Sequence, residues 1–472
     1  MASTVGHQAG RSIPNALCPV TGPIPAGSVS AARSASNLGD GIVSAKGINP
    51  ERTAVTSRVA LHGSSRATGM RVGITGGSIA GCTTAALLHE AGHDVVVFER
   101  SESGLVSRGA GIVAATAAWQ DMMAHGLIDR TLPACRADYS RFVTRAPGTG
   151  QQRWLGDVQM GFTLLNWAHL YQQLRRRVPN DRYRSDAAVE RVEMTPHGTT
   201  LHFLAGGSSD FDLVVCADGY RSLGRGLIDP GTAPVYRGMV LWRGLLPERD
   251  IRVDALDGCD LLRPIYQGGH GVAYYIAGSG HSTERGERLL MWGYCLQVPE
   301  SALASVLVDD KERQQFSSVP FGKVHPDVGA GLEARLAGLL PRSLFELVRQ
   351  SGNSSIQAIY SFVPRSYARD RLCLVGDAGT VFPPFTGSGV LRAVANATAL
   401  REALAEAPAV DDALRRWSQA QLQIASQVIP VAEGIERSSV FGMPDLTTTA
   451  TTATNDWMSA TYPGLMVTLP GV

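Results

Sequence analysis

Residues 372–400 read LCLVGDAGTVFPPFTGSGVLRAVANATAL and predict a strand, a turn and a helix in direct succession. The opening apolar run is typical of a short buried strand, which breaks at Gly376-Asp377. After Gly389, apolar residues recur at helical spacing. A glycine-rich turn before a helix presents free N–H groups to negative charge on a ligand, and an aspartate beside it suits a ligand hydroxyl. An ordinary α/β strand–turn–helix also explains this stretch if it is taken alone.

A second glycine-rich turn, GGSIAG at residues 76–81, lies inside a predicted βαβ unit. Gly76 is expected to make the tight turn, and Gly81 to allow close packing of the helix on the strand. Glu99 ends the next predicted strand about twenty residues on, where a carboxylate binds a ribose hydroxyl. The unit predicts an adenine dinucleotide site that fits FAD or NAD better than NADP, although Ser78 stands where a glycine is usual.

The GD at residues 376–377, followed by P-x-x-G-x-G at 384–389, resembles the second flavin motif of the FAD-dependent aromatic hydroxylases, which are single-component flavoprotein monooxygenases. Two further stretches resemble motifs of that family: RGAGI at 108–112 and ADGYRSLGR at 217–225. The motifs also follow one another in the family's order. Together they are far more specific than any one of them.

The chain departs from the family pattern at two places. The family usually has Ala-His where this chain has Gly379-Thr380, and an acidic-Asp-Ala triplet where it has ANA at 395–397. Neither change removes the aspartate or the glycines. Trp167 and the stretch YRGMVLWRG at 236–244 resemble the dihydroxypyridine and hydroxynicotinate hydroxylase branch.

The resemblance implies a set of residues that bind FAD, with NADH or NADPH as a transient co-substrate. They are Gly76, Ser78, Ile79, Ala80, Gly81, Glu99, Arg100, Arg108, Gly111, Ile112, Asp218, Gly219, Asp377, Pro384, Gly387, Ser388 and Gly389. The catalytic residues stay unassigned, because the flavin would carry the chemistry. The candidates for the lining of the substrate cavity are Met239, Leu241, Trp242, Phe385 and Thr386. No metal site is predicted.

The resemblance also implies an α/β fold with a Rossmann-like FAD-binding domain, an inserted and mostly antiparallel β-sheet substrate domain, and C-terminal helices. The expected parts are a disordered leader (1–69), the first part of the FAD-binding domain (70–233), the mainly β substrate domain (234–365), the second part of the FAD-binding domain with its helices (366–440) and a tail (441–472). The leader is either an organelle transit peptide or upstream sequence translated in error. Met70, directly before the first strand, favours the second alternative.

The implied activity is that of an FAD-dependent monooxygenase, which uses NAD(P)H and O₂ to hydroxylate a small aromatic or nitrogen-heterocyclic molecule through a C4a-hydroperoxyflavin. Two alternatives stay open. One is another FAD-dependent oxidoreductase acting on a secondary metabolite, such as an oxidase, a dehydrogenase or an epoxidase. The other is a non-catalytic FAD-binding module. A flavin halogenase would need a W-x-W-x-I-P element, which the sequence lacks.

Composition excludes several other classes of function. The chain has 472 residues, of which 44% are hydrophobic and 18% charged, as is usual for a soluble enzyme. A formal net charge of +1 gives no electrostatic reason to expect nucleic acid or an anionic membrane as partner. The seven cysteines form no C-x-x-C pair, which favours reduced thiols in the cytoplasm over disulfides or zinc. A homodimer is left open.

The substrate is the feature that the sequence constrains least. The candidate lining is mostly apolar and aromatic, with His270 and Tyr294 among its few polar groups. It predicts a neutral phenol, indole or pyridone-like ring, because a carboxylate would need a partner such as arginine. Arg243 is expected to point into the domain interface. Strand alternation puts Arg243 on the same face as Met239 and Leu241, and the sequence does not decide whether that face points inward.

Overall fold

The computed structural model describes residues 69–102, 104–106, 109–195, 198–253, 256, 261–444, 457, 460 and 461. The expected leader, apart from Gly69, lies outside the described residues, as do Arg108 and nearly all of the expected tail. The fold and the candidate site are therefore drawn from the rest of the chain.

The strands of the described part are, in chain order, β1 Arg71–Thr75, β2 Asp94–Phe98, β3 Gly111–Ala115, β4 Ala134–Arg145, β5 Gln152–Asn166, β6 Tyr183–Arg184, β7 Val189–Thr195, β8 Gly198–Phe203, β9 Ser208–Phe211, β10 Leu213–Cys216, β11 Val235–Pro247, β12 Leu261–Tyr266, β13 Gly269–Ile276, β14 Leu289–Gln297, β15 Ser318–Val319, β16 Asn353–Ser361, β17 Ala368–Arg369 and β18 Leu372–Leu374. The α-helices are α1 Ile79–Glu90, α2 Thr116–Ala124, α3 Trp167–Arg176, α4 Leu223–Ile228, α5 Glu300–Val306, α6 Pro326–Ala337, α7 Arg342–Gln350, α8 Gly389–Glu406 and α9 Val410–Glu436.

A six-stranded sheet in the order β17-β18-β10-β1-β2-β6 forms the first layer of the described fold. Strands β18, β10, β1, β2 and β6 pair in parallel, and only β17 runs antiparallel to its neighbour. Parallel neighbours need crossover connections, and both faces of such a sheet are buried, which explains the apolar runs of its strands. The α/β class and the predicted βαβ unit, β1-α1-β2, are confirmed.

A nine-stranded sheet in the order β15-β16-β11-β14-β13-β12-β4-β5-β3 forms the second layer. All of its pairs are antiparallel except β12 with β4. Strands β11, β14 and β13 are neighbours at the centre of this sheet. Strands β3 to β5 precede residue 234, so the sheet is built from two stretches of chain rather than from one insertion. The remaining strands, β7-β8-β9, form a small separate sheet.

The long C-terminal helix α9 connects the two layers. Its last residue, Glu436, is fully buried and accepts hydrogen bonds from the guanidinium of Arg237 on β11, one of them at 3.0 Å. A short π-helix, Arg437–Phe441, follows directly. Among the described helices, none has the length and apolar character needed to cross a membrane.

Candidate functional site

The turn between β1 and α1 has the geometry that its glycines predict. Gly76 has φ of +92°, and a side-chain carbon there would lie 2.5 Å from the carbonyl oxygen of Ala217. A side-chain carbon at Gly81 would lie 1.9 Å from the carbonyl oxygen of Gly76. Only glycine satisfies both the left-handed turn and the close packing of helix on strand. No side chain caps the N-terminus of α1 at Ser78, so its first N–H groups are free to bind a ligand.

Glu99 directly follows β2, and its side chain is buried. Only 5% of the residue is accessible. Its Oε2 accepts a hydrogen bond from the N–H of Gly77 at 2.8 Å, and its Oε1 accepts one from the N–H of Ser101 at 2.9 Å. The carboxylate therefore also fixes the glycine turn that begins α1.

Asp218 reaches the same turn from the neighbouring strand β10. Its Cα would lie 2.8 Å from a side-chain carbon at Gly76. Oδ2 of Asp218 accepts a hydrogen bond from the N–H of Leu223 at 3.0 Å, whereas its buried Oδ1 has no partner among the described residues. Burial raises the pKa of this carboxyl group. A buried acceptor without a donor is a polar group that a ligand hydroxyl would satisfy.

The loop after β18 lies against the first glycine turn. Gly376 has φ of +60°, and a side-chain carbon there would lie 2.9 Å from Cβ of Ala80. Asn396 of α8 accepts a hydrogen bond from the N–H of Gly376 at 3.0 Å. Asn396 belongs to the triplet that departs from the family pattern, and it holds the loop through this hydrogen bond.

Gly379-Thr380, the other departure from the family pattern, packs against Tyr367. Thr380 is fully buried, and its hydroxyl shares a hydrogen bond with the hydroxyl of Tyr367. A side-chain carbon at Gly379 would lie 2.6 Å from the ring of Tyr367. A larger side chain at residue 379 would therefore displace that tyrosine.

A third contact brings the segment from Gly109 to β3 into the site. Gly387 has φ of +66°, and a side-chain carbon there would lie 2.8 Å from the carbonyl oxygen of Val113. On the other side of this segment, Trp167 donates its backbone N–H to Ala110 at 2.9 Å. A side-chain carbon at Gly109 would lie 2.1 Å from the ring of Trp167, so the indole fits only beside a glycine.

The predicted cofactor residues within the described part lie at five points of the fold. Gly76, Ser78, Ile79, Ala80 and Gly81 form the β1–α1 turn; Glu99 and Arg100 follow β2; Gly111 and Ile112 begin β3; Asp218 and Gly219 follow β10; and Asp377, Pro384, Gly387, Ser388 and Gly389 lie between β18 and α8. Gly76, Gly376 and Gly387 are the contact points that join these stretches.

These residues fit a flavin adenine dinucleotide. The helices α1 and α8 both begin without a side-chain cap and so offer N–H groups to phosphate or to a negatively charged ring edge. Where the segments meet, glycines leave the backbone uncovered by side chains. The carboxylates Glu99, Asp218 and Asp377 are acceptors suited to hydroxyl groups. Among the described residues, no group of three or more His, Cys, Asp or Glu side chains is placed to hold a metal ion.

The nine-stranded sheet turns one face toward this site, and we call it the inner face. The segment between β18 and α8 is called the flavin loop. The ring of His270 on β13 lies 4.7 Å from the ring of Phe385 in this loop, edge to face. A side-chain carbon at Gly111 would lie 2.5 Å from the hydroxyl of Tyr274. Met239 is fully buried in the same apolar cluster as Phe385, with Leu241 beside it. The side chains of Met239 and Leu241 therefore point inward.

Trp242 points to the opposite face, which corrects its assignment to the cavity lining. Its ring meets that of Trp292 edge to face, with ring centroids 5.2 Å apart. The two tryptophans share an apolar cluster with side chains of α6 and α7. Tyr294 stacks on Trp292 at 5.4 Å and is likewise on this outer face. Neither Trp242 nor Tyr294 is available to a substrate beside the flavin loop.

Sequence reasoning missed the side chains that hold the loops in place. Arg392, 5% exposed, donates to Oδ1 of Asp377 at 2.9 Å and to the carbonyl oxygen of Gly376 at 2.8 Å. Both partners lie a full loop away along the chain. The only signal in the sequence was a charged residue in an otherwise apolar helix pattern, at the position where α8 faces the loop.

Comparison with known proteins gives matches across most of the chain. One family description, FAD binding domain-like, matches residues 236–361, and another, FAD binding domain, matches residues 345–432. The chain is 24% identical over 362 residues to a 2,6-dihydroxypyridine 3-monooxygenase of Paenarthrobacter nicotinovorans, covering 75% of this chain and 87% of that protein. It is 27% identical over 386 residues to a 3-amino-4-hydroxybenzoate 2-monooxygenase of Streptomyces cremeus, covering 80% and 89%.

A solved structure shows the same fold. The structure of 2,6-dihydroxypyridine-3-hydroxylase from Arthrobacter nicotinovorans superimposes with a TM-score of 0.74 at 22% identity. The match covers 81% of this chain and 96% of the other. The nine-stranded sheet and the mostly parallel layer therefore belong to an arrangement that both proteins share.

Proposed function

We propose that this chain, which belongs to the family of FAD-dependent aromatic hydroxylases, hydroxylates a small aromatic or nitrogen-heterocyclic ring with O₂ and NAD(P)H. The observation that carries the proposal is the meeting of distant motifs at three glycines. Gly76 contacts Asp218, Gly376 contacts Ala80, and Gly387 contacts Val113. One oxygen atom would enter a ring C–H bond, the other would leave as water, and NAD(P)H would supply the two electrons.

The chemistry that FAD supplies when bound is the activation of O₂ with electrons from NAD(P)H. The chain's own residues would bind FAD and orient it. The N-terminus of α1 would face the pyrophosphate, and Glu99 and Asp218 would accept hydrogen bonds from hydroxyl groups. The N–H groups at the start of α8, after Ser388, would stabilise negative charge at the edge of the flavin ring.

The inner face of the nine-stranded sheet would exclude water from the reacting ring. Met239, Ile265 and Phe385 are buried together. His270 is 3% exposed, and burial, together with the charge of Arg263, lowers its pKa to about 3. The imidazole is therefore neutral near pH 7. A mostly apolar face around this neutral imidazole favours a flat ring and keeps bulk water from the site.

Flavin content and oxygenated product test the proposal. Purified protein should be yellow and should release FAD on denaturation. NADH or NADPH oxidation should depend on an added ring substrate and on O₂, and mass spectrometry with ¹⁸O₂ should find one labelled oxygen in the product. Colourless protein that FAD cannot reconstitute would contradict the whole assignment. Substrate oxidation without incorporated oxygen would favour an oxidase or a dehydrogenase, and flavin binding without turnover would favour a binding module.

A cytoplasmic location is part of the proposal. Four described cysteines, Cys82, Cys216, Cys295 and Cys373, are buried free thiols, which suits a reducing compartment where NAD(P)H is regenerated. Cell fractionation followed by immunodetection would test it, with a membrane or organelle pool as the contrary result.

A further inference from the structure

Arg243 lies on the inner face of the sheet, contrary to its expected direction. Along β11 it shares the face of Met239 and Leu241, because side chains of a strand alternate. Gly293, its neighbour on β14, confirms the direction. A side-chain carbon at Gly293 would lie 3.3 Å from Cγ of Arg243 and 3.4 Å from Cδ1 of Leu241.

The guanidinium of Arg243 has aromatic neighbours, and no carboxylate of the described residues pairs with it. Its Cζ lies 5.8 Å from the ring centre of Phe321. Burial lowers the pKa of Arg243, and the ionisable neighbour that opposes this shift is the Tyr274 hydroxyl. Nε of Arg243 is buried without a hydrogen-bond partner among the described residues.

A second polar group without a partner lies beside it. Ser355 on β16 is directly opposite Arg243 in the antiparallel pairing, so both side chains are on the inner face. Ser355 is 3% exposed, and its Oγ has no hydrogen-bond partner among the described residues. Two adjacent donors are thus buried without an acceptor, an arrangement that costs stability unless a bound group supplies one.

Three other partly or fully buried arginines of the described part are each paired with a carboxylate, whereas Arg225 is held by backbone carbonyl oxygens. Arg237, on the same strand, is paired with Glu436; Arg288 is paired with Glu248; and Arg392 is paired with Asp377. In each of these pairs the fold supplies the carboxylate. Arg243 has no such carboxylate among the described residues, and it lies on the face that is turned toward the flavin loop.

We infer that Arg243 and Ser355 bind a carboxylate carried by the aromatic substrate, an inference that rests on the proposed function. A guanidinium matches a carboxylate with two parallel N–H donors, and the serine hydroxyl supplies a third. Gly293, directly opposite the arginine on β14, adds no side chain of its own there. The expected substrate is therefore a hydroxylated or aminated aromatic acid and not a neutral ring.

Binding to the FAD-loaded enzyme tests the inference without turnover. Matched pairs that differ only in the carboxylate serve as probes: 4-hydroxybenzoate with phenol, and 6-hydroxynicotinate with 2-hydroxypyridine. Calorimetry or a change in flavin absorbance should show that the acids bind and the neutral rings bind more weakly. Arg243→Met should weaken binding of the acids roughly tenfold to a hundredfold and leave the neutral rings unchanged. Ser355→Ala should give a smaller loss in the same direction, and Arg243→Lys should restore part of it.

Leu245→Met is the matched control, since Leu245 follows on the same face of β11 and carries no charge. It should preserve the preference for the acids. Ligand-free Arg243→Met should melt at the same temperature as the wild type or higher, because it removes a charge that no carboxylate within the described part of the chain balances.

Two results would overturn the inference: neutral rings that bind the wild type at least as well as the acids, or equal losses for both members of a pair in Arg243→Met. An enzyme that binds the acids but forms no oxygenated product would instead contradict the proposed function and leave the binding site standing.

Discussion

Oδ1 of Asp377 lies 2.9 Å from Nη2 of Arg392, and the two side chains differ sharply in exposure: 59% for the aspartate and 5% for the arginine. The arginine is fixed from within α8 and also holds the carbonyl oxygen of Gly376 at 2.8 Å. One carboxylate oxygen is therefore held by the protein while much of the group stays accessible. This arrangement orients Asp377 toward a ligand without closing the site.

Asp377→Ala is expected to weaken FAD binding while the protein stays folded. Losing a hydrogen bond to a charged acceptor costs roughly 1.5–3 kcal/mol, and the exposure of Asp377 favours the lower end, about a tenfold rise in Kd. Titration of apoprotein with FAD by fluorescence quenching measures it. Asp411→Ala, which removes an exposed carboxylate paired with Arg371, should bind FAD normally. Unchanged affinity in Asp377→Ala would mean that another residue accepts the hydrogen bond from the FAD hydroxyl.

Glu99→Gln is expected to lower both stability and FAD affinity. The amide would place an NH₂ group where the carboxylate now accepts the N–H of Gly77 or Ser101, leaving a buried donor unsatisfied at roughly 1–3 kcal/mol. Thermal melts with and without FAD distinguish a structural role of Glu99 in the turn from a role in FAD binding. An equal fall in both melts would mean that Glu99 only fixes the turn, whereas a larger fall with FAD would support a ribose contact. Glu90→Gln, at the exposed end of α1, is the control.

Gly387→Ala is expected to disturb the flavin loop. A residue with φ of +66° costs an alanine roughly 1–2 kcal/mol, and its Cβ would meet the carbonyl oxygen of Val113. FAD affinity should fall with little change in the circular dichroism of the fold. Gly434→Ala, in a helix with no atom near the added carbon, should be neutral or stabilising. Normal flavin occupancy in Gly387→Ala would show that the loop tolerates a shift.

Trp242→Phe is expected to leave substrate preference unchanged, because the indole lies on the outer face against Trp292. The loss of packing should cost less than the roughly 3–5 kcal/mol of a full truncation to alanine. Ratios of kcat/KM across a panel of rings are the measurement, with Met239→Leu on the inner face as the contrasting variant. A changed ratio in Trp242→Phe but not in Met239→Leu would indicate that the substrate binds on the outer face of the sheet.

Acid pH is expected to destabilise the protein partly through His270. Its pKa is lowered to about 3 by burial and by Arg263, whereas an unfolded histidine titrates near 6.5. Between these values the unfolded chain binds the extra proton, so stability falls as pH falls from about 6.5 toward 3. Denaturant titrations across this range should show a shallower fall for His270→Phe. His169, whose pKa is lowered to about 4, contributes in the same direction and should remain in that variant.

The sequence predicted the parts of the fold that depend on neighbours along the chain. The β1-α1-β2 unit and the turn at Gly76 rest on local spacing and on backbone freedom, and the structure reproduces them. The direction of β11 was beyond such reasoning. Alternation groups Met239 with Arg243, but only the packing of α6 and α7 on the Trp242 side decides which group faces inward. The burial of Glu99 likewise depends on an amide contributed by the preceding turn.

The pairing of Arg237 with Glu436 limits how this scaffold can be redesigned for other substrates. Strand β11 carries both the positions proposed to face the substrate and the arginine that neutralises a fully buried carboxylate at the end of α9. A strand grafted from another hydroxylase without an arginine at that position would leave the buried carboxylate of Glu436 unpaired. That would cost roughly 3–5 kcal/mol of folding stability. Exchange of β11 therefore has to keep Arg237 or replace Glu436 in the same step, so β11 and α9 cannot be redesigned independently of each other.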